Sequence, residues 1–253
     1  AVFNDIETNE NITAERIASL WKYEQETPFV RNLRDVYDKV GRFTSEAVFF
    51  IEPVTGHVIP DFKPILVHGA EMLMVELDSK TSMETDNAKK DYYQAMRTSL
   101  KALLILADRY ASLAADIKKT ATGKRKEVLH LIENTLSHVP RKGARNLYEA
   151  IQSFLLLWQL MCLEQSPNPY AFSVGNADRI FEPFRAMGNL DCLMSTSIFK
   201  HFLVFFNVGD RSWAISQNII IGGKSLDGKD LTNVTTFALL DAYYEMNLPQ
   251  PIL

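Results

Sequence analysis

One stretch of about twenty residues constrains the fold of this chain more than any other. From Arg145 to Glu164, apolar residues cover almost the whole circumference of a helix, and the polar residues Glu149, Gln152, Ser153 and Gln159 fall in one narrow stripe. A helix that is apolar on nearly every side is buried, so this segment is predicted to be the centre of the core. At 1.5 Å per residue it spans roughly 30 Å, about the width of one globular core.

The pattern changes abruptly after this helix. Residues 166–170, Ser-Pro-Asn-Pro-Tyr, are turn-forming, and the short alternating run from Ala171 to Val174 that follows is typical of a strand. A membrane span is the alternative for the helix itself, but the unbroken apolar run from Phe154 to Trp158 is far shorter than the ~20 residues that a span needs. A buried helix that leads through a polar loop into a strand is therefore predicted.

Composition excludes several functional classes. The chain has 253 residues, of which 47% are apolar, so it can bury a substantial core. Its net charge of −4 gives no general attraction to nucleic acid or to anionic lipid. Cys162 and Cys192 lie in apolar helical patterns without metal-ligand spacing, which argues against a disulfide framework and fits a reducing cytoplasm. The first residues lack the pattern of a signal sequence, although processing or truncation stays open because residue 1 is not methionine.

Helical periodicity and capping residues predict most of the remaining elements. The predicted helices are Ala14 to Glu24, Pro28 to Val40, Phe62 to Leu77 capped by Asp61, one very long helix from Thr81 to Lys119, Arg125 to Ser137, a short helix near residue 181, Leu190 to Phe206, and Thr235 to Glu245. Residues Asn218 to Ile221 do not alternate, which suits a strand covered on both faces. Residues Glu46 to Glu52 fit either a strand or the end of a helix.

The residues alone identify no catalytic constellation. Gly223, Lys224 and Ser225 look like the end of a phosphate-binding loop, but position 218 is asparagine where that loop requires glycine. The five histidines (His57, His68, His130, His138 and His201) have no metal-binding spacing. His57 stands out because it follows Gly56 in a loop between two prolines, where either a loop-capping or a binding role is open.

Several blocks taken in order nevertheless resemble one family. These blocks are the segment 145–154, the segment from Ala171 to Asp178, the run Gln217-Asn-Ile-Ile-Ile-Gly-Gly, Asp227-Gly-Lys-Asp, Thr232-Asn, and the ending Leu248-Pro-Gln-Pro. Together they are similar to the glycyl radical enzymes, the pyruvate formate-lyase-like family. The resemblance runs from about Thr27 to the last residue.

The resemblance implies a helix-rich α/β fold. In it, residues 1–253 form one partial domain, about one half-barrel of a ten-stranded α/β barrel wrapped by long helices. It further implies a part of a lyase or dehydratase that cleaves a C–C, C–O or C–N bond of a small hydroxylated or carboxylated metabolite. The implied cofactor is a glycyl radical, installed by an activating enzyme that uses S-adenosylmethionine and an iron-sulfur cluster. The implied partners are a small-molecule substrate, that activating enzyme and a second copy in a homodimer, without nucleic acid or membrane.

The resemblance also implies substrate-binding residues but no catalytic residue. Tyr170 and Ala171 lie five and four positions before Gly175, where the family lines its pocket, and the turn at His57 is similar to a segment that places a polar side chain near the substrate. His57 would donate a hydrogen bond or assist protonation of a leaving group, and Tyr170 would give an aromatic wall with a hydroxyl.

Three departures from the family pattern bear on function. Neither Cys162 nor Cys192 lies in a setting like the family's cysteine loop, and there is no segment similar to its radical glycine loop. Asn176 stands where the family commonly has arginine. The chain is therefore expected to be a fragment, a split subunit or, as the alternative, a catalytically inactive homologue that acts as a binding or scaffold protein.

Overall fold

The computed structural model describes residues 58–164, 172–208 and 218–248, together with five residues between Arg31 and Lys39. Those five are helical, in agreement with the helix predicted from Pro28 to Val40. Contacts divide the chain into two units, 1–55 and 56–253, and the three long described ranges belong to the second. The predicted helix Ala14 to Glu24 and the segment Glu46 to Glu52 lie outside the described residues, and the single partial domain over 1–253 stays a prediction.

The described part of the second unit contains seven helices and two short strands. In chain order they are α1 (Lys63–Met83), α2 (Asn87–Lys118), α3 (Gly123–His138), α4 (Leu147–Glu164), β1 (Gly175–Asn176), α5 (Ala177–Met187), α6 (Cys192–Val208), β2 (Ile219–Ile220) and α7 (Val234–Met246). This is the helix-rich architecture that the sequence predicts, and most helix bounds lie within a few residues of the predicted ones.

The central position of α4 is confirmed. Phe154 is fully buried, and its ring lies 4.3 Å from that of Phe62, 5.5 Å from Phe202 and 5.9 Å from Phe181 between centroids. These rings come from the start of α1, from α6 and from α5, so α4 joins three other parts of the fold through one aromatic cluster. The polar stripe does not face solvent along its whole length, because Glu149 and Ser153 of that stripe are also buried.

The prediction of one helix from Thr81 to Lys119 is wrong at its start. Residues 81–83 belong to the end of α1, and the chain turns at 84–86 before α2 begins at Asn87. Two carboxylates make the break: Glu84 accepts hydrogen bonds from the amides of Thr85 and Asp86, and Asp86 caps α2 by accepting from Ala88 N at 2.8 Å. The break needs neither glycine nor proline, which is why the periodic pattern hid it.

Helix α1 is also longer than predicted and is interrupted at Gly69, whose φ is 76°. The loop between α3 and α4 crosses α1 at this point, where Ala70 N donates to Pro140 O at 2.8 Å and Ala144 N donates to Leu66 O at 2.8 Å. A Cβ atom on Gly69 would lie 2.4 Å from backbone atoms of Lys142, so the crossing requires glycine. Asp61 was predicted to cap α1; its carboxylate does accept from Lys63 N at 3.2 Å, while Phe62 occupies the cap position itself.

The strand predicted from Ala171 to Val174 is found later in the chain: Phe172 forms an isolated bridge, and β1 at Gly175–Asn176 lies in one sheet with β2. Strands β1 and β2 are parallel, with Gly175 opposite Ile219 and Asn176 opposite Ile220. The prediction that this second segment is covered on both faces is wrong for Ile220, since Ile219 is buried but Ile220 is 46% exposed.

Candidate functional site

Three chain segments meet side by side and in parallel at the start of the sheet. Val58 pairs with Phe172 in a parallel bridge, and Ser173 N donates to Val58 O at 3.0 Å. On the other side of the same strand, Asn218 N donates to the side-chain Oγ of Ser173 at 3.1 Å. Ser173, which is 6% exposed, therefore connects the segment at residue 58 with the segment at residue 218.

The central helix α4 is hydrogen-bonded to the place where the three segments meet. Trp158 of α4 is 3% exposed, and its indole Nε1 donates to the backbone O of Phe172 at 3.1 Å. The Trp158 ring also packs edge-on against Phe206 of α6, with centroids 5.3 Å apart. Because a buried carbonyl without a partner is costly, this bond holds the strand at one height along α4.

A buried carboxylate holds the opposite end of the strands. Asp178, the second residue of α5, is fully buried and accepts from Arg179 N at 2.8 Å through Oδ1. Its Oδ2 accepts from Gly222 N and from Thr236 Oγ1, each at 2.6 Å. One side chain thus connects the carboxyl ends of β1 and β2 with the beginning of α7.

The beginning of α7 is fixed by a second carboxylate as well. Glu182 of α5 accepts from Thr235 Oγ1 at 2.7 Å. The hydrogen bond from Arg185, together with the bonds from Thr235, keeps the pKa of Glu182 below its usual value although partial burial acts in the other direction. Asn233 and Thr236 complete a capping box at the same helix end.

The three predicted substrate-binding residues, His57, Tyr170 and Ala171, lie outside the described residues. Two of their sequence neighbours are the bridged pair of the sheet, since Val58 follows His57 and Phe172 follows Ala171. The prediction for these three side chains therefore stays a prediction.

Sequence reasoning missed the residues that organise the strands, namely Trp158, Ser173 and Asp178. Ser173 lies within the Ala171 to Asp178 block that carried the family resemblance, but its partner Asn218 is 45 residues away. Asp178 closes the Gly175 to Asp178 block that carried the family resemblance, but its partners 44 and 58 residues away are not visible in any local pattern.

Neither cysteine has the environment of a reactive thiol. Burial raises the pKa of Cys162 to about 12, so this thiol is protonated near neutral pH. Cys192, at the start of α6, lies with its Sγ 3.9 Å from an Asp241 carboxylate oxygen. Both cysteines are free.

Other kinds of site have no support in the part of the chain that the structure describes. Within it, no group of three or more histidine, cysteine and acidic side chains is arranged to hold a metal ion. An open groove of about 450 Å³ is lined by Ile105, Arg109, Leu113 and other residues of α2 alone, so it has no opposing wall. None of the described helices combines the length and apolar character that a membrane crossing requires.

Comparison with known proteins gives a consistent assignment. The family model described as pyruvate formate lyase-like matches residues 3–253. The isethionate sulfite-lyase of Desulfovibrio desulfuricans is 26% identical over 222 residues, which cover 77% of this chain and 26% of that protein. The trans-4-hydroxy-L-proline dehydratase of Clostridioides difficile is 29% identical over 199 residues, covering 72% of this chain and 25% of the dehydratase. The chain thus spans about a quarter of the length of these relatives.

Solved structures show the same fold. A glycyl radical enzyme from Archaeoglobus fulgidus matches 97% of this chain and 34% of its own with a TM-score of 0.76 at 22% identity. The glycerol-bound B12-independent glycerol dehydratase from Clostridium butyricum matches 78% of this chain and 27% of its own with a TM-score of 0.72 at 25% identity. The helix-rich arrangement of α1 to α7 around parallel strands is therefore that of the glycyl radical enzyme fold, and the chain belongs to the pyruvate formate lyase-like family of glycyl radical enzymes.

Proposed function

We propose that this chain supplies barrel wall and substrate pocket to a glycyl radical lyase or dehydratase that acts on a small hydroxylated or carboxylated metabolite. The observation that carries the proposal is the parallel meeting of three segments, at Val58, at Phe172 to Asn176, and at Ile219 to Ile220, in front of a buried central helix. Parallel strands backed by helices are the elements from which an α/β barrel is built. We further propose that these strands belong to about one half of a ten-stranded barrel.

In this proposal, His57, Tyr170 and Ala171 line the pocket. The support is their position in the sequence, since His57 and Ala171 come immediately before the two bridged residues Val58 and Phe172. His57 donates a hydrogen bond to a substrate oxygen or protonates a leaving hydroxyl, for which imidazole is suited near neutral pH. Tyr170 contributes an aromatic wall with a hydroxyl group.

The radical groups are not assigned to this chain. In the proposed reaction, a glycyl radical together with a cysteine would supply the abstraction of hydrogen from the substrate. Cys162 lies within helix α4, partly buried against the hydrophobic core, so it does not fit this role, and no step is assigned to either cysteine. The proposal includes an activating enzyme that installs the radical and a homodimeric assembly.

The proposal is tested with the full-length gene product, activated without oxygen and supplied with glycerol, 1,2-propanediol, trans-4-hydroxy-L-proline or isethionate. Product formation from at least one of them, measured by mass spectrometry, is the expected result. His57→Ala is expected to lower kcat/KM at least about tenfold, the loss of one hydrogen bond to a polar substrate group.

The control is His201→Ala, which changes an exposed histidine on α6. It is expected to leave kcat/KM unchanged. If the activated protein forms no product from any of the four compounds, the proposed activity is refuted in favour of the scaffold alternative. If product forms but His57→Ala equals wild type, the role of His57 is refuted alone.

A further inference from the structure

We propose that Ser173 is a positioning residue of the substrate pocket. Its backbone and side chain together set the spacing of the three chain segments from which the pocket is built. This inference rests on the proposed function, and it adds a residue that neither the sequence nor the family comparison singled out.

Ser173 is hydrogen-bonded to both neighbouring segments. Ser173 N donates to Val58 O at 3.0 Å, and Ser173 Oγ accepts from Asn218 N at 3.1 Å. One of these bonds uses the backbone of Ser173 and the other uses its side chain. A single serine therefore sets the position of the middle segment against both neighbours.

The bond between Asn218 and Ser173 differs from an ordinary bond between strands. Between paired strands, amide hydrogens ordinarily bond to backbone carbonyl oxygens, whereas Asn218 donates to a hydroxyl. Any side chain at position 173 preserves the bond to Val58, but only a side chain with an acceptor at the γ position preserves the bond to Asn218. Only the bond to Asn218 therefore depends on which residue occupies position 173.

The two bonded residues lie close to the proposed pocket positions in the sequence. Val58 follows His57, and Ser173 lies two residues after Ala171 along the same segment. Ser173 therefore holds the chain within two residues of both proposed pocket positions, and consecutive Cα atoms are only 3.8 Å apart. Trp158 fixes the same segment from the helix side through Phe172 O, so the segment is held on three sides.

The chemical step itself is not assigned to Ser173. Its hydroxyl oxygen is engaged by Asn218 N, and its side chain is 6% exposed, so its effect on a substrate passes through the placement of neighbouring residues. Loss of the hydroxyl is therefore expected to change KM more than kcat.

The experiment compares Ser173→Ala with Ser173→Thr in the activated full-length gene product, using whichever of the four hydroxylated or sulfonated compounds above the wild type converts. Alanine is expected to raise KM about two- to tenfold, the range of one neutral hydrogen bond, with little change in kcat. Threonine keeps the γ oxygen and favours strand geometry, so it is expected to return KM to within about twofold of wild type. Ser197→Ala is the control, because the Ser197 hydroxyl bonds only within α6, to Leu193 O.

A second measurement separates positioning from general destabilisation. Hydrogen exchange of the peptide that contains Asn218 is expected to accelerate in Ser173→Ala and not in Ser173→Thr, while peptides of α4 keep their protection. The proposal is overturned if KM is unchanged in Ser173→Ala, if threonine fails to restore it, or if exchange rises equally throughout the fold. If the wild type converts none of the compounds, the proposed function fails first and this inference falls with it, whatever the exchange data show.

Discussion

Replacement of Phe154 by alanine tests whether α4 is the centre of the fold. The Phe154 side chain is fully buried, and removal of a buried phenylalanine costs about 3–5 kcal/mol of unfolding free energy. Its ring also meets Phe62, Phe181 and Phe202 at centroid distances between 4.3 and 5.9 Å, and each such pair adds about 0.5–1.5 kcal/mol beyond burial. The loss is therefore expected in the upper half of the range, about 4–5 kcal/mol.

The assay is equilibrium unfolding in urea followed by tryptophan fluorescence, because Trp158 is buried on the same helix. Leu157→Ala is the matched control, since Leu157 is only partly buried, and its loss is expected to be clearly smaller, about 1–2 kcal/mol. A loss below about 1 kcal/mol for Phe154→Ala, or an equal loss for the two variants, would refute the central position of α4.

Three further changes have defined outcomes. Gly143→Ala would place a Cβ 2.1 Å from Val67 O and is expected to lower the free energy of unfolding in urea by at least about 2 kcal/mol. Gly188→Ala is the control, because its Cβ would meet nothing closer than 3.4 Å, and it is expected to be nearly neutral. Equal unfolding midpoints for the two variants would contradict this. Burial raises the pKa of Cys162 to about 12, so at pH 8 the thiolate fraction is on the order of 10⁻⁴. Cys162 is therefore expected to resist alkylation by iodoacetamide until urea unfolds the chain. Rapid labelling of Cys162 in the folded protein would contradict its burial. Burial raises the pKa of Glu149, but the hydrogen bonds and charge of Arg145 outweigh burial and keep this pKa below its ordinary value. The contribution of Glu149 to stability is therefore present above about pH 4.5 and is lost as pH falls through the folded-state pKa. Glu149→Gln is expected to flatten this acid-side decline of stability, and an unchanged pH profile would contradict the pairing with Arg145.

The elements that could be predicted from sequence are those with a local cause. The apolar circumference of α4 predicts its burial, and the residues around Asn233 predict where α7 begins. The break before α2 was missed because two carboxylates, Glu84 and Asp86, make it without any loss of apolar periodicity. The interruption of α1 at Gly69 was missed for a different reason, since its cause is a loop more than 70 residues later in the chain.

The same distinction holds for the candidate site. His57, Tyr170 and Ala171 were named from a family pattern, and they stay predictions. The residues that hold the strands act over long sequence separations: Ser173 bonds to Asn218, 45 residues away, and Asp178 bonds to Thr236, 58 residues away. A serine in a strand or an aspartate near a helix start has many possible partners, so only the folded chain identifies them.

The most direct measurement of the proposed pocket is a disulfide test between residues 57 and 171. The bridge between Val58 and Phe172 fixes the register of the two segments. The proposal predicts that positions 57 and 171, one residue earlier in each segment, are neighbours about 4.8 Å apart, within the range that a disulfide spans. His57→Cys with Ala171→Cys is therefore expected to form a linked peptide pair on mild oxidation, detected by mass spectrometry, whereas His57→Cys with Val174→Cys is not. Absence of the first link, or equal yield of both, would contradict a pocket wall built from these two segments.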